Sequence, residues 1–159
     1  ALPQYQLAVD KSKFAKYRTM AKSLADAYWR YLYTHSIPPG DIDDLDIDLP
    51  PGYTKTSPYK QSCAVFDDMY CCVNYPKYNY QHGAVVCGAK DNSVAVNLLL
   101  LAVSDKDLPN LIANICVAKT DNKRAVRLCE SMPYKRSYTS NLPTQSGHKT
   151  GYTYYNMKG

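Results

Sequence analysis

Phenylalanine is nearly missing from this chain and tryptophan occurs once; 2 Phe and 1 Trp stand beside 16 Tyr. Tyrosine brings apolar area with a polar tip, so this aromatic set suits surfaces and interfaces that stay partly wet. Long hydrophobic runs are missing as well. The longest, Leu98 to Val103, is far short of the ~20 apolar residues that cross a bilayer as a helix. No stretch has the charged, apolar and small-residue order of a signal peptide. There is no Gly-rich phosphate loop, no GxSxG, and no CxxC or CxxH. The usual signs of nucleotide binding, serine hydrolysis, and zinc or dithiol chemistry are therefore missing. Charge of one sign is not abundant either. A net charge of +5 permits an anionic partner without demanding one.

What is present is one domain's length of chain, 159 residues, with the apolar and charged content of an ordinary globule. Six cysteines, an even number, suggest three disulfides and an oxidising compartment. The alternative is six buried thiols in a cytosolic protein. An oxidised chain must leave the cytosol, so an export signal is expected outside the residues Ala1–Gly159.

From Gln4 to Ser36 there is neither Gly nor Pro. Phe14, Tyr17, Ala21, Leu24, Tyr28 and Tyr31 are spaced 3, 4, 3, 4, 3, which draws one apolar stripe along an α-helix. A helix from residue 4 to 35 measures about 48 Å, more than one small sheet can cover. The stripe fades before Phe14, where Asp10 interrupts it, so the first turns are expected to project free. Next comes PPGDIDDLDIDLPPGYT. Asp41, Asp43, Asp44, Asp46 and Asp48 alternate with Ile42, Leu45, Ile47 and Leu49. The spacing does not match an EF-hand loop. It reads as an extended loop that tucks its aliphatic residues under the helix and keeps its carboxylates wet.

ALPQYQ, a Lys-rich helix with FAKYRTMAKSLADAYWRYLYTHS, and a loop ending LDIDLPPGY together resemble a type IV pilin. The resemblance is carried mainly by residues 1–50. It implies that an apolar membrane segment, starting at a methylated Phe, precedes Ala1, and that Pro3 is the proline that kinks the family's helix. It also implies a long helix packed on an antiparallel sheet, with a Cys-bounded region near the C-terminus. The function implied is that of a structural subunit: a helical homo-oligomeric filament on the cell surface, used for adhesion and motility. Leu2, Pro3, Tyr5 and Val9 would meet neighbouring subunits. The inner membrane and the pilus assembly machinery would be partners before assembly.

The rest of the chain reads as sheet independently of that resemblance. SCAVF (62–66) and MYCCVN (69–74) flank Asp67-Asp68, a two-residue turn. GAVVCG (83–88) and SVAVNLLLL (93–101) flank AKDN, and LIANICVA (111–118) is a fifth strand-like run. TDNKRAVRLCESM reads as a short helix capped by Thr120 or Asp121, with Val126, Cys129 and Met132 facing inward. TGYTYYNM (150–157) alternates like an edge strand. A helix followed by consecutive strands is α+β. The expected single domain runs 1–159: helix 1–35, loop 36–61, antiparallel sheet 62–118 and C-terminal region 119–159.

A two-residue turn at Asp67-Asp68 sets Cys63 opposite Cys72 in a non-hydrogen-bonded pair, whose Cα atoms approach to about 4.5 Å, within disulfide range. Cys71 then points to the other face, most simply towards Cys87. Cys116 and Cys129 would tie the last strand to the following helix. This is one of 15 possible pairings.

No enzyme is expected, nor a cofactor or metal. His35, His82 and His148 are scattered, and Cys71, Cys72, Cys87 and His82 would suit zinc less simply than disulfides. Two other roles stay open. KTDNKR (119–124), YKR (134–136) and the helix lysines, interleaved with Tyr134, Tyr138 and Tyr152, could make a basic aromatic patch that binds nucleic acid, as in a minor pilin that takes up DNA. A pseudopilin of a type II secretion system would form a short piston instead of a surface fibre.

Overall fold

A computed structural model describes residues 2–36, 39–58, 61–74, 82–101, 111–140 and 151–158. Helix α1 (Leu2–His35) fills the expected 1–35 segment and begins two residues before the Gly- and Pro-free stretch that starts at Gln4. Pro3 is accommodated because the first turn has no intrahelical acceptor for its missing N–H. The helix ends where Ser36 takes φ 59° and its N–H returns to the Leu32 carbonyl at 2.8 Å, a left-handed C-terminal cap. The buried stripe is Phe14, Tyr17, Ala21, Leu24, Ala25, Ala27, Tyr28 and Leu32. It follows the expected spacing but ends on Leu32. Tyr31 is half-buried and stacks on His35, ring centroids 3.9 Å apart.

Eight strands form one antiparallel sheet: β1 (Thr54–Thr56), β2 (Gln61–Val65), β3 (Met69–Asn74), β4 (His82–Ala89), β5 (Val94–Leu101), β6 (Leu111–Lys119), β7 (Tyr134–Ser140) and β8 (Tyr152–Met157). Their order is β1-β2-β3-β4-β5-β6-β8-β7. Helix α2 (Lys123–Glu130) lies between β6 and β7 in sequence. The α+β architecture agrees with the sequence pattern. Three details differ. The 150–157 segment supplies β8, an interior strand between β6 and β7, not an edge. The outer edge is β7, whose Lys, Arg, Ser and Thr hid it in a polar tail. The opposite edge is β1, three exposed residues inside the expected loop 36–61.

Helix α1 packs on β3, β4 and β5. Tyr28 is fully buried over Gly83 of β4, where a methyl group would come within 2.6 Å of the ring's Cζ. Glycine is needed there because the ring occupies the space of a side chain. The other face of the sheet is apolar too. Ile115, Val117 and Tyr154 are buried there together, with Leu99, Ala113 and Tyr152 packed against them. That explains why β5 reads as a nearly continuous apolar run instead of an alternating one.

The aspartate-rich loop behaves as its pattern implies. Ile42 and Leu45 are buried and Ile47 and Leu49 half-buried, while Asp43, Asp44, Asp46 and Asp48 face solvent. Ile42–Asp44 form one 3-10 turn, capped by the Asp41 side chain, which accepts from the Asp43 N–H.

Candidate assembly surface

The β2–β3 hairpin turns on Asp67-Asp68, and the Phe66 N–H donates to the Met69 carbonyl at 2.8 Å. Its register sets Cys63 against Cys72 and Ala64 against Cys71; the next register sets Cys71 against Cys87. Disulfides join Cys63–Cys72, Cys71–Cys87 and Cys116–Cys129, with Cα separations of 4.0, 4.1 and 5.7 Å. All six sulfurs belong to buried residues. The first bridge lies on the face away from α1, while the other two sit in the main core. With Cys71, Cys72 and Cys87 oxidised, the zinc set considered with His82 is ruled out. The His82 side chain and His148 lie outside the described residues.

The N-terminal end of α1 is built differently from the rest. Leu2 is 65% exposed and Tyr5 68%. Pro3 is exposed as well, but Val9 is half-buried, and Leu7 packs against the main core. The sequence reading left these turns without a partner; α2 supplies one. Asn122, not Thr120 or Asp121, caps α2: its Oδ1 accepts from the Ala125 N–H at 3.0 Å. Thr120 and Asp121 are used by the preceding turn, where the Asn122 N–H donates to the Lys119 carbonyl at 2.9 Å. The cap orients α2 so that Ala125, Leu128 and Cys129 are buried, with Val126 and Met132 only half-buried. The Cys116–Cys129 bridge pins this helix to β6. Arg124 then forks onto Asp10, at 2.7 and 2.9 Å. Arg127 donates to the Pro3 carbonyl at 3.0 Å. The helix end is thus tethered by its backbone and by Asp10, while Leu2 and Tyr5 stay open.

At the other end of α1, Lys55 bridges Asp41 and Asp43 at 2.5 and 2.8 Å. The Lys55 ammonium sits between these two carboxylates. Arg30 forks onto Asp46, with contacts from 2.8 to 3.1 Å, and this pairing holds the Asp46 carboxyl below its ordinary range. Burial pushes Asp41 up, but the hydrogen bonds from Lys55, the Asp43 N–H and Ser62 outweigh it, so its pKa falls.

A cleft of about 480 Å³ lies between α1, α2 and the β2–β3 and β4–β5 turns. Two ion pairs line it: Arg124 is held by Asp10, and Lys16 by Asp68 at 2.8 Å.

Two tyrosines of the supposed nucleic-acid patch make contacts within the fold. Tyr134 is half-buried and meets Tyr155 edge-on, centroids 5.1 Å apart. The Tyr152 hydroxyl donates to the Asn92 carbonyl at 3.1 Å. Both rings are half-buried. The side chains of Arg136 and Tyr138 lie outside the described residues.

Among the described residues no helix is long and apolar enough to cross a membrane. Compared with protein-family models, curated proteins and solved structures, the chain matches none of them.

Proposed function

We propose that this chain is the globular part of a structural subunit of an extracellular type IV pilus filament, a pilin-like protein without catalytic activity. The observation that carries the reading is the exposure of Leu2 and Tyr5, 65% and 68%, on the first turns of a continuous 34-residue helix. Burying such side chains against other copies removes apolar area from water, the general driving force for assembly. On this reading an apolar segment before Ala1 holds the precursor in the inner membrane and then lies in the fibre core. Three buried disulfides suit a subunit that works outside the cell, where thiols oxidise.

The test is Leu2→Asp or Tyr5→Asp in the full-length protein, followed by electron microscopy of the cell surface and thermal melting of the chain Ala1–Gly159. Both side chains are open to solvent, so the melting temperature should hold. Filaments should be lost, because each copy would carry a charge into a packed interface. Normal fibres from either mutant would remove this helix end from the assembly surface.

A further inference from the structure

We propose that the cleft between α1, α2 and the β2–β3 and β4–β5 turns is a binding site for a small organic anion with an apolar tail, the chemistry of a medium-chain carboxylate. The inference does not rest on the filament reading.

The cleft has the size for it. Its volume of about 480 Å³ lies within the ~300–1,000 Å³ of small-molecule sites. Tyr17, Val94, Ala125 and Leu128 line it and are buried, so its floor is apolar. Its charged lining comprises Lys13, Lys16, Lys90 and Arg124 with Asp10, Asp68 and Asp91. Two of the cations are answered, Arg124 by Asp10 and Lys16 by Asp68. Asp91 accepts from the Ser93 N–H at 3.0 Å. Lys13 and Lys90 are left. Both are exposed and make no ion pair among the described residues; Lys13 acts on Asp68 through space. Backbone donors reinforce the two lysines. Asn122, Arg124 and Ala125 bring the first turn of α2 to the cleft wall. The Asn122 side chain caps the Ala125 N–H. The Lys123 and Arg124 N–H groups have no intrahelical acceptor, and the helix dipole is positive at this end. Positive charge thus stands around an apolar floor, a setting that an anion with a hydrocarbon body satisfies at both ends.

A second cavity gives the tail its place. It measures about 200 Å³ and is lined by Met20, Pro50, Pro51, Phe66 and Met69. Lys16 and Asp68 belong to the walls of both cavities, so the two meet at one ion pair. That pair is more than half exposed on each side, and exposed pairs are worth little. A ligand that crosses it therefore loses little. Lys13, Lys16 and Met20 are spaced 3 and 4, which sets them on one face of α1. Lys13 and Met20 are about 10 Å apart along the axis, about the length of an extended octanoate ion. The carboxylate meets Lys13 and Lys90 while the chain lies over Met20 and Phe66. Methionine adapts well to such a flexible apolar guest.

The test is a titration of the chain Ala1–Gly159 with octanoate, followed by amide NMR shifts, with acetate and octylammonium as comparison probes. Octanoate should give saturable shifts at Lys13, Lys90, Lys123 and Arg124, and also at Met20 and Phe66. Acetate should bind at least about tenfold more weakly, because it has no tail to bury. Octylammonium should leave these amides unmoved. Lys13→Gln with Lys90→Gln should weaken octanoate at least about tenfold. Met20→Gln should shrink the advantage of octanoate over acetate. Lys11→Gln with Lys22→Gln, both exposed and outside the two cavities, should change nothing. Thermal melting checks that each variant is folded. Equal affinity of the wild type and the Lys13 and Lys90 variant for octanoate overturns the inference. So does equal binding of octanoate and octylammonium, or octanoate that binds no more tightly than acetate. Shifts that do not saturate, or that fall only elsewhere in the chain, overturn it as well. None of these outcomes depends on whether the chain forms fibres.

Discussion

Arg124, in the first turn of α2, holds Asp10 of α1 through two hydrogen bonds of 2.7 and 2.9 Å across 114 residues of sequence. With Arg127 on the Pro3 carbonyl, it fixes the N-terminal turns of α1, which precede the buried stripe that starts at Phe14. Helical ends without tertiary contact are marginal in water. Replacing Arg124 and Arg127 together with Ala should therefore loosen residues 2–10 without unfolding the domain. Hydrogen exchange should show lost protection at amides 6–10 and unchanged protection from Phe14 onward. Unchanged protection throughout would mean that the apolar contact of Leu7 suffices alone.

That tether depends on a covalent one. The Cys116–Cys129 bridge closes a segment of sequence separation 13, for which chain entropy gives a stabilisation of about 3 kcal/mol. Cys116→Ala with Cys129→Ala should lower stability by about that much and release α2. The exchange change expected for the Arg124 and Arg127 variant should then appear here too. Reduction of the unfolded wild-type chain should raise its mass by the six hydrogens of three disulfides. Free thiols in the native protein would contradict both the fold and an extracellular location.

Tyr28 and Gly83 make a second local test. The Tyr28 hydroxyl is buried with no hydrogen-bond partner among the described residues, and burial holds its pKa well above the ordinary phenol value. Tyr28→Phe removes an unsatisfied polar atom and should be neutral or stabilising by about 1 kcal/mol. Gly83→Ala presses a methyl group against the same ring and should cost about 1–3 kcal/mol. In the double variant the costs should not add, because deleting the hydroxyl vacates part of the space. Urea titrations of the four proteins measure this. Additive costs would show that the ring and the strand shift independently.

Much of this was legible in the sequence because it rests on local counting. A two-residue turn at Asp67-Asp68 sets Cys63 opposite Cys72; it also turns Cys71 to the other face, where the simplest partner was Cys87, and the β3–β4 register supplies that pairing. The 3-4 spacing from Phe14 onward marks the helix face that meets the sheet. What escaped depends on contacts distant in sequence. Nothing local says that Asp10, which interrupts the stripe, meets Arg124. Strand β7 was hidden because its residues are those of a polar tail, and it is a strand by virtue of pairing with β8. The cap was displaced by one or two residues because Thr120, Asp121 and Asn122 all have capping side chains. Only the turn after β6 selects Asn122. At the candidate assembly surface, the resemblance grouped Leu2, Pro3, Tyr5 and Val9, but burial splits the group: Val9 is half-covered and the other three are exposed.

The tyrosines set the pH limits. Asp46 is held down by the Arg30 fork, Asp68 by its hydrogen bond from Lys16, and Asp91 by hydrogen bonds from Ser93. A carboxyl whose folded pKa is lowered adds stability above its unfolded value of 3.8, and that stability is lost as the pH falls through the folded value. These groups are largely exposed, so the acid loss should be shallow and should shrink with added salt. The alkaline side is governed by burial. It pushes Tyr70 up to about 12, and it pushes Tyr155, with help from Glu130, to about 12; Tyr17, Tyr28 and Tyr152 are also raised by burial. In the unfolded chain all five ionise near the ordinary value of 10.0. A group raised on folding contributes stability that is complete below its unfolded pKa and disappears as the pH climbs towards the folded one. Five such groups acting together should make stability fall steeply between pH 10 and pH 12, far more steeply than on the acid side. Phenolate absorbance should rise in two stages, first the exposed tyrosines reversibly, then the buried ones together with loss of the circular dichroism signal. A single smooth titration of all the tyrosines near pH 10, with the fold intact, would mean that these rings are open to solvent and that the packing of Tyr70, Tyr154 and Tyr155 around the sheet is wrong.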